Sequence, residues 1–260
     1  MNKLTKAIII IITIGLLIGL SGIIYLLFIQ EDKVAVLTFH NIEDKITEEN
    51  TVNISTAKFE KYIKWLSKHG YTSLSIDEFY EWKEEGKKIP RKSILITFDD
   101  GWESFYQKAI PILEKYNMKA TVFVIWKYTE QSTAENNGIY MTTNEIEDIQ
   151  KNHPTITIAS HSHGLHIKEL AMSNNYETYD KDLKYVKNTY GDNIKYYAYP
   201  FGRRTDNYIK ALKDNNYLLS FTFGPYDFAR VGDDSYQIPR MGIFEPTQDW
   251  KFKLKMFLEI

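Results

Sequence analysis

The chain has 260 residues, a formal net charge of −2 and no cysteine. The near-neutral balance offers no basic footprint for nucleic acid, and the lack of cysteine excludes disulfides, thiolate-ligated zinc and a thiol nucleophile. Aromatic residues make up 15% of the chain, with 19 Tyr and 5 Trp, which suits a carbohydrate-facing cleft as well as a well-filled core.

Lys3 and Lys6 precede an uncharged, Ile- and Leu-rich run. As a helix, residues 7–29 would measure ~35 Å at ~1.5 Å per residue, enough for a ~30 Å hydrocarbon core. Ser21-Gly22 is a weak cleavage site inside the run, so the reading favours an uncleaved transmembrane anchor over a cleaved, secreted form. Lysines before the span and Glu31-Asp32 after it place the N-terminus inside and the rest outside. The expected division is therefore an anchor, 1–32, and one domain, 33–260.

In that domain, 34–39 reads as a buried strand ending at His40-Asn41, and 42–51 as a polar loop. Phe59, Tyr62, Ile63 and Leu66 have helical spacing, predicting a helix over 56–69 that stops at Gly70. Ser75 to Glu78 is a capping box for a helix ending at Gly86. The run 93–98 is a buried strand ending abruptly in Asp99-Asp100-Gly101. A helix over 103–116, a strand over 120–126 and a cleft-lining polar loop over 128–140 follow. Thr142 and Glu145 cap a helix to Asn152, and a strand over 156–159 runs into Ser160-His161-Ser162-His163-Gly164-Leu165-His166. Then come a helix over 174–190, a strand over 195–199 ending at Pro200-Phe201-Gly202, a helix over 207–215, strands over 218–223 and 236–238, and a helix at 250–258. The alternation of strand and helix predicts a parallel α/β sheet or barrel, in which ligand sites lie at the carboxyl ends of strands.

The polar oddities fall at those ends: His40, Asp99-Asp100, His161 to His166, and Tyr199 to Arg203. A regular strand would point Asp99 and Asp100 to opposite faces, but Gly101 breaks it and lets both turn to one site. His161 and His166, five residues apart, do not share a helix face; a turn through Gly164 could bring them to one point, with His163 as a competing ligand. Two imidazoles and a carboxylate make a three-ligand set of catalytic rather than structural type.

Thr97-Phe98-Asp99-Asp100-Gly101, His161-Ser162-x-x-x-His166 and Tyr199-Pro200-Phe201-Gly202, in this order, resemble the polysaccharide deacetylases of carbohydrate esterase family 4. The resemblance covers roughly 34–245. It implies a distorted (β/α) barrel, a divalent metal and hydrolysis of acetamides on an N-acetylglucosamine polymer. It also implies Asp99 as general base, Asp100, His161 and His166 as ligands, and the Tyr199–Gly202 loop at the sugar, with the Phe201 N–H on the oxyanion. Most members carry the acid histidine near the C-terminus, yet no histidine follows His166 here. His40 is the substitute, as in the branch that deacetylates poly-β-1,6-N-acetylglucosamine in biofilms. Arg240 would orient Asp99, with Arg203 and Arg204 as rivals, and Asp249-Trp250 is a fragment of the usual substrate-wall motif. The donors suit Zn²⁺ first, with Co²⁺, Ni²⁺ or Fe²⁺ as alternatives. The expected protein is a monomeric, membrane-anchored, extracellular deacetylase of the β-1,6 polymer. The alternatives are a peptidoglycan or chitin-like β-1,4 substrate, or an inactive sugar-binding surface protein.

Overall fold

The computed structural model describes residues 3–29, 33–46, 52–132, 138–224 and 227–257. Helix α1 (Lys3–Ile29) is the one helix among the described residues long and apolar enough to cross a membrane. Its Thr13 and Ser21 hydroxyls donate back to the carbonyls of Ile9 and Ile18, so neither of these two needs water.

Beyond α1 the chain builds β1 (Lys33–Phe39), β2 (Ile42–Glu43), β3 (Ile54–Ser55), α2 (Thr56–Lys68), β4 (Thr72–Leu74), α3 (Ile76–Glu85) and β5 (Ser93–Phe98). Next come α4 (Ile110–Lys115), β6 (Ala120–Val124), α5 (Trp126–Gln131), α6 (Thr143–Asn152), β7 (Ile156–Ser160), α7 (Lys168–Ala171) and α8 (Tyr176–Tyr190). The last part holds β8 (Tyr196–Ala198), α9 (Asp206–Asp214), β9 (Leu219–Phe221), β10 (Ala229–Arg230), β11 (Met241–Gly242) and α10 (Asp249–Phe257).

Strands β1, β5, β6, β7, β8 and β9 are parallel neighbours in that order. The segment after β10 closes the curl. Ile238 bridges Phe221 of β9, and three residues later Met241 pairs with Leu37 of β1. The product is a distorted (β/α) barrel with an irregular seam. Alternation along each strand sorts the core into two layers. Val34, Val36, Leu95, Phe123, Ala159 and Ala198 face inward over Phe79 and Trp82 of α3. Ala35, Leu37, Phe39, Ile94, Ile96 and Phe98 face outward under α2, whose Phe59, Tyr62 and Leu66 cover them.

Several boundaries depart from the sequence expectation. The strand expected over 120–126 ends at Val124, because the N–H groups of Trp126 and Lys127 donate to the Ser162 and His163 carbonyls and the Trp126 ring stacks on Tyr190 at 3.8 Å. Part of the expected 128–140 loop is thus helix α5, and 133–137 lie outside the described residues. The loop expected over 42–51 contributes the short β2, paired with β3, and 47–51 lie outside the described residues. The helix expected over 103–116 contains a π-helical turn, Phe105–Ala109, just before Ile110-Pro111, where the proline cannot donate to a carbonyl one turn back. Of the strand expected over 236–238, only the Ile238 bridge forms.

Candidate active site

The inward rows of three strands continue past the apolar layer into polar groups. Val34, Val36 and Thr38 lead to His40; Leu95 and Thr97 lead to Asp99; Ala159 leads to His161. The period of two that buries the valines therefore also aims these three side chains into the barrel mouth. Thr38 and Thr97 bond each other at 3.0 Å beneath them.

Asp99 is 3% exposed and Arg240 0%. Two parallel bonds of 2.7 Å join the guanidinium to both carboxylate oxygens, while the third donor, Nε, reaches the Thr222 carbonyl at 2.9 Å. Arg240 lies in the barrel-closing seam, between the Ile238 bridge and Met241. Arg203 and Arg204 are exposed, and Arg204 bonds Gln237. Burial alone would raise the Asp99 pKa, but the Arg240 charge, then that of His161, outweighs it and holds the carboxyl well below the usual range. His40 Nε2 lies 3.9 Å from Asp99 Oδ2. The rings of Phe223 and Phe244 flank the imidazole, and its buried Nδ1 has no hydrogen-bond partner among the described residues. Burial lowers the His40 pKa against the pull of Asp99 and Asp100.

Asp100 leaves the strand pattern. It has φ of 73° and Gly101 of 78°, so two successive left-handed residues fold the Asp100 carboxylate back over the strand end. Its Oδ1 lies 3.5 Å from His161 Nε2 and 3.4 Å from His166 Nε2. One ligand atom from each of the three lies within 4.8 Å of the others, a group that could hold a metal ion. The surrounding bonds fit that use. His161 Nδ1 donates to the Ala198 carbonyl at 2.7 Å, which fixes the ring with Nε2 turned to Asp100. Burial, then the neighbouring His161, pushes the His166 pKa down to about 4, so its ring is neutral at pH 7. His163 turns away to Glu130 at 3.0 Å and is not in the group.

Two supporting residues escaped the sequence reading. Trp102 donates its indole N–H to Asp100 Oδ2 at 3.0 Å and stacks on Tyr140, leaving Oδ1 to face the histidines. Its position directly after Gly101 was the available signal. Asp182 on α8 accepts from the N–H groups of His163 and Gly164 at 2.9 and 2.7 Å, clamping the turn that brings His161 and His166 together. No local pattern marks it, because the contact joins a helix to a loop eighteen residues upstream.

The Tyr199–Gly202 loop borders this group. Tyr199 is fully buried, its hydroxyl donating to the Tyr236 carbonyl and accepting from Ser220. Pro200 is also buried, whereas Phe201 is 44% exposed, has φ of 58° and lays its ring 4.5 Å from that of His166. Gly202 is required: a Cβ there would stand 2.4 Å from Phe223 Cβ. Asp249 lies apart from the site, on α10, where Tyr62 and Lys61 bind it.

The profile of the family described as polysaccharide deacetylase matches residues 86–219, about half of the chain. A protein of Staphylococcus epidermidis named poly-β-1,6-N-acetyl-D-glucosamine N-deacetylase is 30% identical over 199 residues, covering 73% of this chain and 67% of that one. A Staphylococcus aureus protein of the same name is 30% identical over 198 residues, with 73% and 67% covered. Among solved structures, the Streptococcus pyogenes deacetylase PplD superposes with a TM-score of 0.75 at 22% identity, covering 86% of this chain and 98% of that one. A polysaccharide deacetylase from Bacillus cereus gives 0.70 at 25% identity, with 87% and 69% covered. A barrel of this form, with its carboxylates and histidines at the strand ends and these relatives beside it, belongs to the polysaccharide deacetylase family of enzymes.

Proposed function

We propose that the protein is a membrane-anchored, extracellular, metal-dependent N-deacetylase that releases acetate from poly-β-1,6-N-acetyl-D-glucosamine. The observation that carries this reading is the meeting, at one barrel mouth, of an ionised Asp99 locked by Arg240, a facing His40 and the Asp100, His161 and His166 group. The β-1,6 polymer is taken from the names of the staphylococcal relatives. The anchor is α1 and the catalytic domain 33–260, with Lys3 and Lys6 on the inner side.

Asp100, His161 and His166 would hold the ion, Zn²⁺ first and Co²⁺, Ni²⁺ or Fe²⁺ as alternatives. Once bound there, a divalent ion supplies Lewis acidity, polarising the acetamide carbonyl and acidifying water. The remaining work falls to side chains. Asp99 stays ionised and accepts a proton from the attacking water. Arg240 fixes both its oxygens, so that proton transfer does not let the carboxylate swing. The Phe201 N–H, presented by its left-handed backbone, is assigned to the oxyanion. His40 protonates the leaving amine. The proton is the one Asp99 has taken from water, passed on to His40 Nε2, which lies 3.9 Å from Asp99 Oδ2; burial weakens the hold of His40 on it, so the imidazolium gives it up to the amine. Exposed Phe201 offers a ring face to the sugar, and Tyr199, Pro200 and Gly202 hold its loop in place.

The test is acetate release from β-1,6 and β-1,4 N-acetylglucosamine polymers and from peptidoglycan, with and without added Zn²⁺, Co²⁺ or Ni²⁺. Preference for the β-1,6 polymer supports the reading. Preference for a β-1,4 chain reassigns the substrate, and polymer binding without release leaves a sugar-binding protein.

A further inference from the structure

Helix α10 carries apolar residues on two faces. Phe252 and Met256 are buried, Phe252 stacking on Tyr62 at 4.2 Å. On the opposite face Trp250, Leu254 and Phe257, at i, i+4 and i+7, are 59, 46 and 65% exposed. At 100° per residue Lys253 flanks this row on one side and Lys251 and Lys255 on the other. Alongside lies a hollow of about 170 Å³ lined by Lys61, Lys64, Trp65, Lys68 and Lys253. The acidic neighbours Asp249 and Glu60 are taken up by Lys61 and Lys115, so the face is apolar at its centre and cationic at its edges. That is the composition of a helix lying at an anionic lipid surface, where lysine stems flank a buried aromatic row.

The position agrees. Lys255 of α10 and Lys33, the first residue of β1, both sit over the Phe228 ring, at 5.9 and 4.8 Å from its centroid. Lys33 follows Ile29, the end of α1, by four positions, a reach of at most ~15 Å. If α1 spans the bilayer, the end of α10 is therefore held close to its surface.

We propose that the outward face of α10 docks the catalytic domain on the anionic lipid headgroups of the bilayer that α1 crosses. Trp250, Leu254 and Phe257 enter the headgroup–acyl boundary, and Lys251, Lys253, Lys64 and Lys68 meet lipid phosphates. With α1 as a covalent tether and α10 as a second attachment, the barrel mouth keeps one orientation to the membrane. This rests on the membrane reading of α1 and is independent of the substrate assignment.

The absence of cysteine makes the test direct. Full-length Leu254→Cys carries one spin label and is assembled into nanodiscs with or without phosphatidylglycerol. Collision of the label with oxygen, which partitions into acyl chains, is compared with collision with a water-soluble nickel chelate. The expected result is a several-fold excess of oxygen over nickel collisions in phosphatidylglycerol discs, lost on Lys251→Glu/Lys253→Glu, with the unfolding midpoint unchanged. A ratio equal to that of free label in water, in a chain that co-elutes with the discs, overturns the docking and leaves the α1 reading intact. A label shielded from both collision partners marks a protein contact and overturns it as well. Burial that survives charge reversal refutes the headgroup assignment. A chain that does not co-elute with discs overturns both readings.

Discussion

Replacing Arg240 by Met removes the guanidinium, and with it the cation over the Phe123 ring, while keeping an unbranched stem. Asp99 then keeps its burial and loses both 2.7 Å bonds. Breaking one side of a buried ion pair costs about 3–5 kcal/mol, because the remaining charge is uncompensated. For a domain of this size that is roughly 10 °C in the unfolding midpoint. The pH dependence should also invert. In the parent, the folded pKa of Asp99 is depressed, so its stabilising contribution is complete above the ordinary carboxylate range and is lost as pH falls through the folded value. In Arg240→Met, burial is left as the dominant influence and raises that pKa. The folded chain then binds more protons than the unfolded one, and stability declines as pH rises above the ordinary carboxylate pKa of about 4. Thermal unfolding of the detergent-solubilised chain between pH 4 and 8, for Arg240→Met, Asp99→Asn and the double variant, reads all of this. The double variant should be less destabilised than the sum of the singles. An Arg240→Met midpoint equal to the parent at every pH would refute the claim that the pair holds a buried charge.

Asp99→Asn should abolish acetate release while leaving metal affinity, read by calorimetry, near the parent value; loss of the metal would exchange the roles of the two aspartates. His40→Ala should lower kcat by about 10²–10⁴-fold with KM little changed, the range for removing a general acid; a variant as fast as the parent removes His40 from the mechanism. Trp102→Phe keeps the stacking on Tyr140 but loses the 3.0 Å bond to Asp100. Metal affinity should fall about 10–100-fold, as for other orienting partners of metal ligands, and unchanged affinity would make Trp102 a packing residue alone.

Much of the barrel was legible because its local signals agree. The continuous apolar runs of β1 and β5 mark strands buried on both faces, and the Ser75–Glu78 and Thr142–Glu145 boxes close reciprocal bonds at the starts of α3 and α6. The same parity that buries Val34 and Leu95 extends to His40 and Asp99, so their convergence at one mouth follows from the sequence once the strands are parallel. The regular pattern fails at Asp100, which reaches the histidines by a left-handed turn, and at the seam from Ile238 to Gly242. The seam is too short and irregular to show as a strand, yet it delivers Arg240 to Asp99 across 141 residues of sequence. Trp126 read as strand by composition and became helix because the Ser162 and His163 carbonyls take its N–H and that of Lys127. Contacts of that range carry no local signature.

The proposed function rests on Asp100, His161 and His166 holding a divalent ion that the enzyme needs to cleave acetamides of the β-1,6 polymer. Its most direct measurement is acetate release from poly-β-1,6-N-acetyl-D-glucosamine by chelator-stripped enzyme, before and after adding Zn²⁺, Co²⁺ or Ni²⁺, beside His161→Ala/His166→Ala treated identically. The stripped enzyme should release no acetate and recover on adding the ion, and the double variant should not recover. Equal release by stripped and reloaded enzyme, or full recovery in the double variant, would contradict the proposed function.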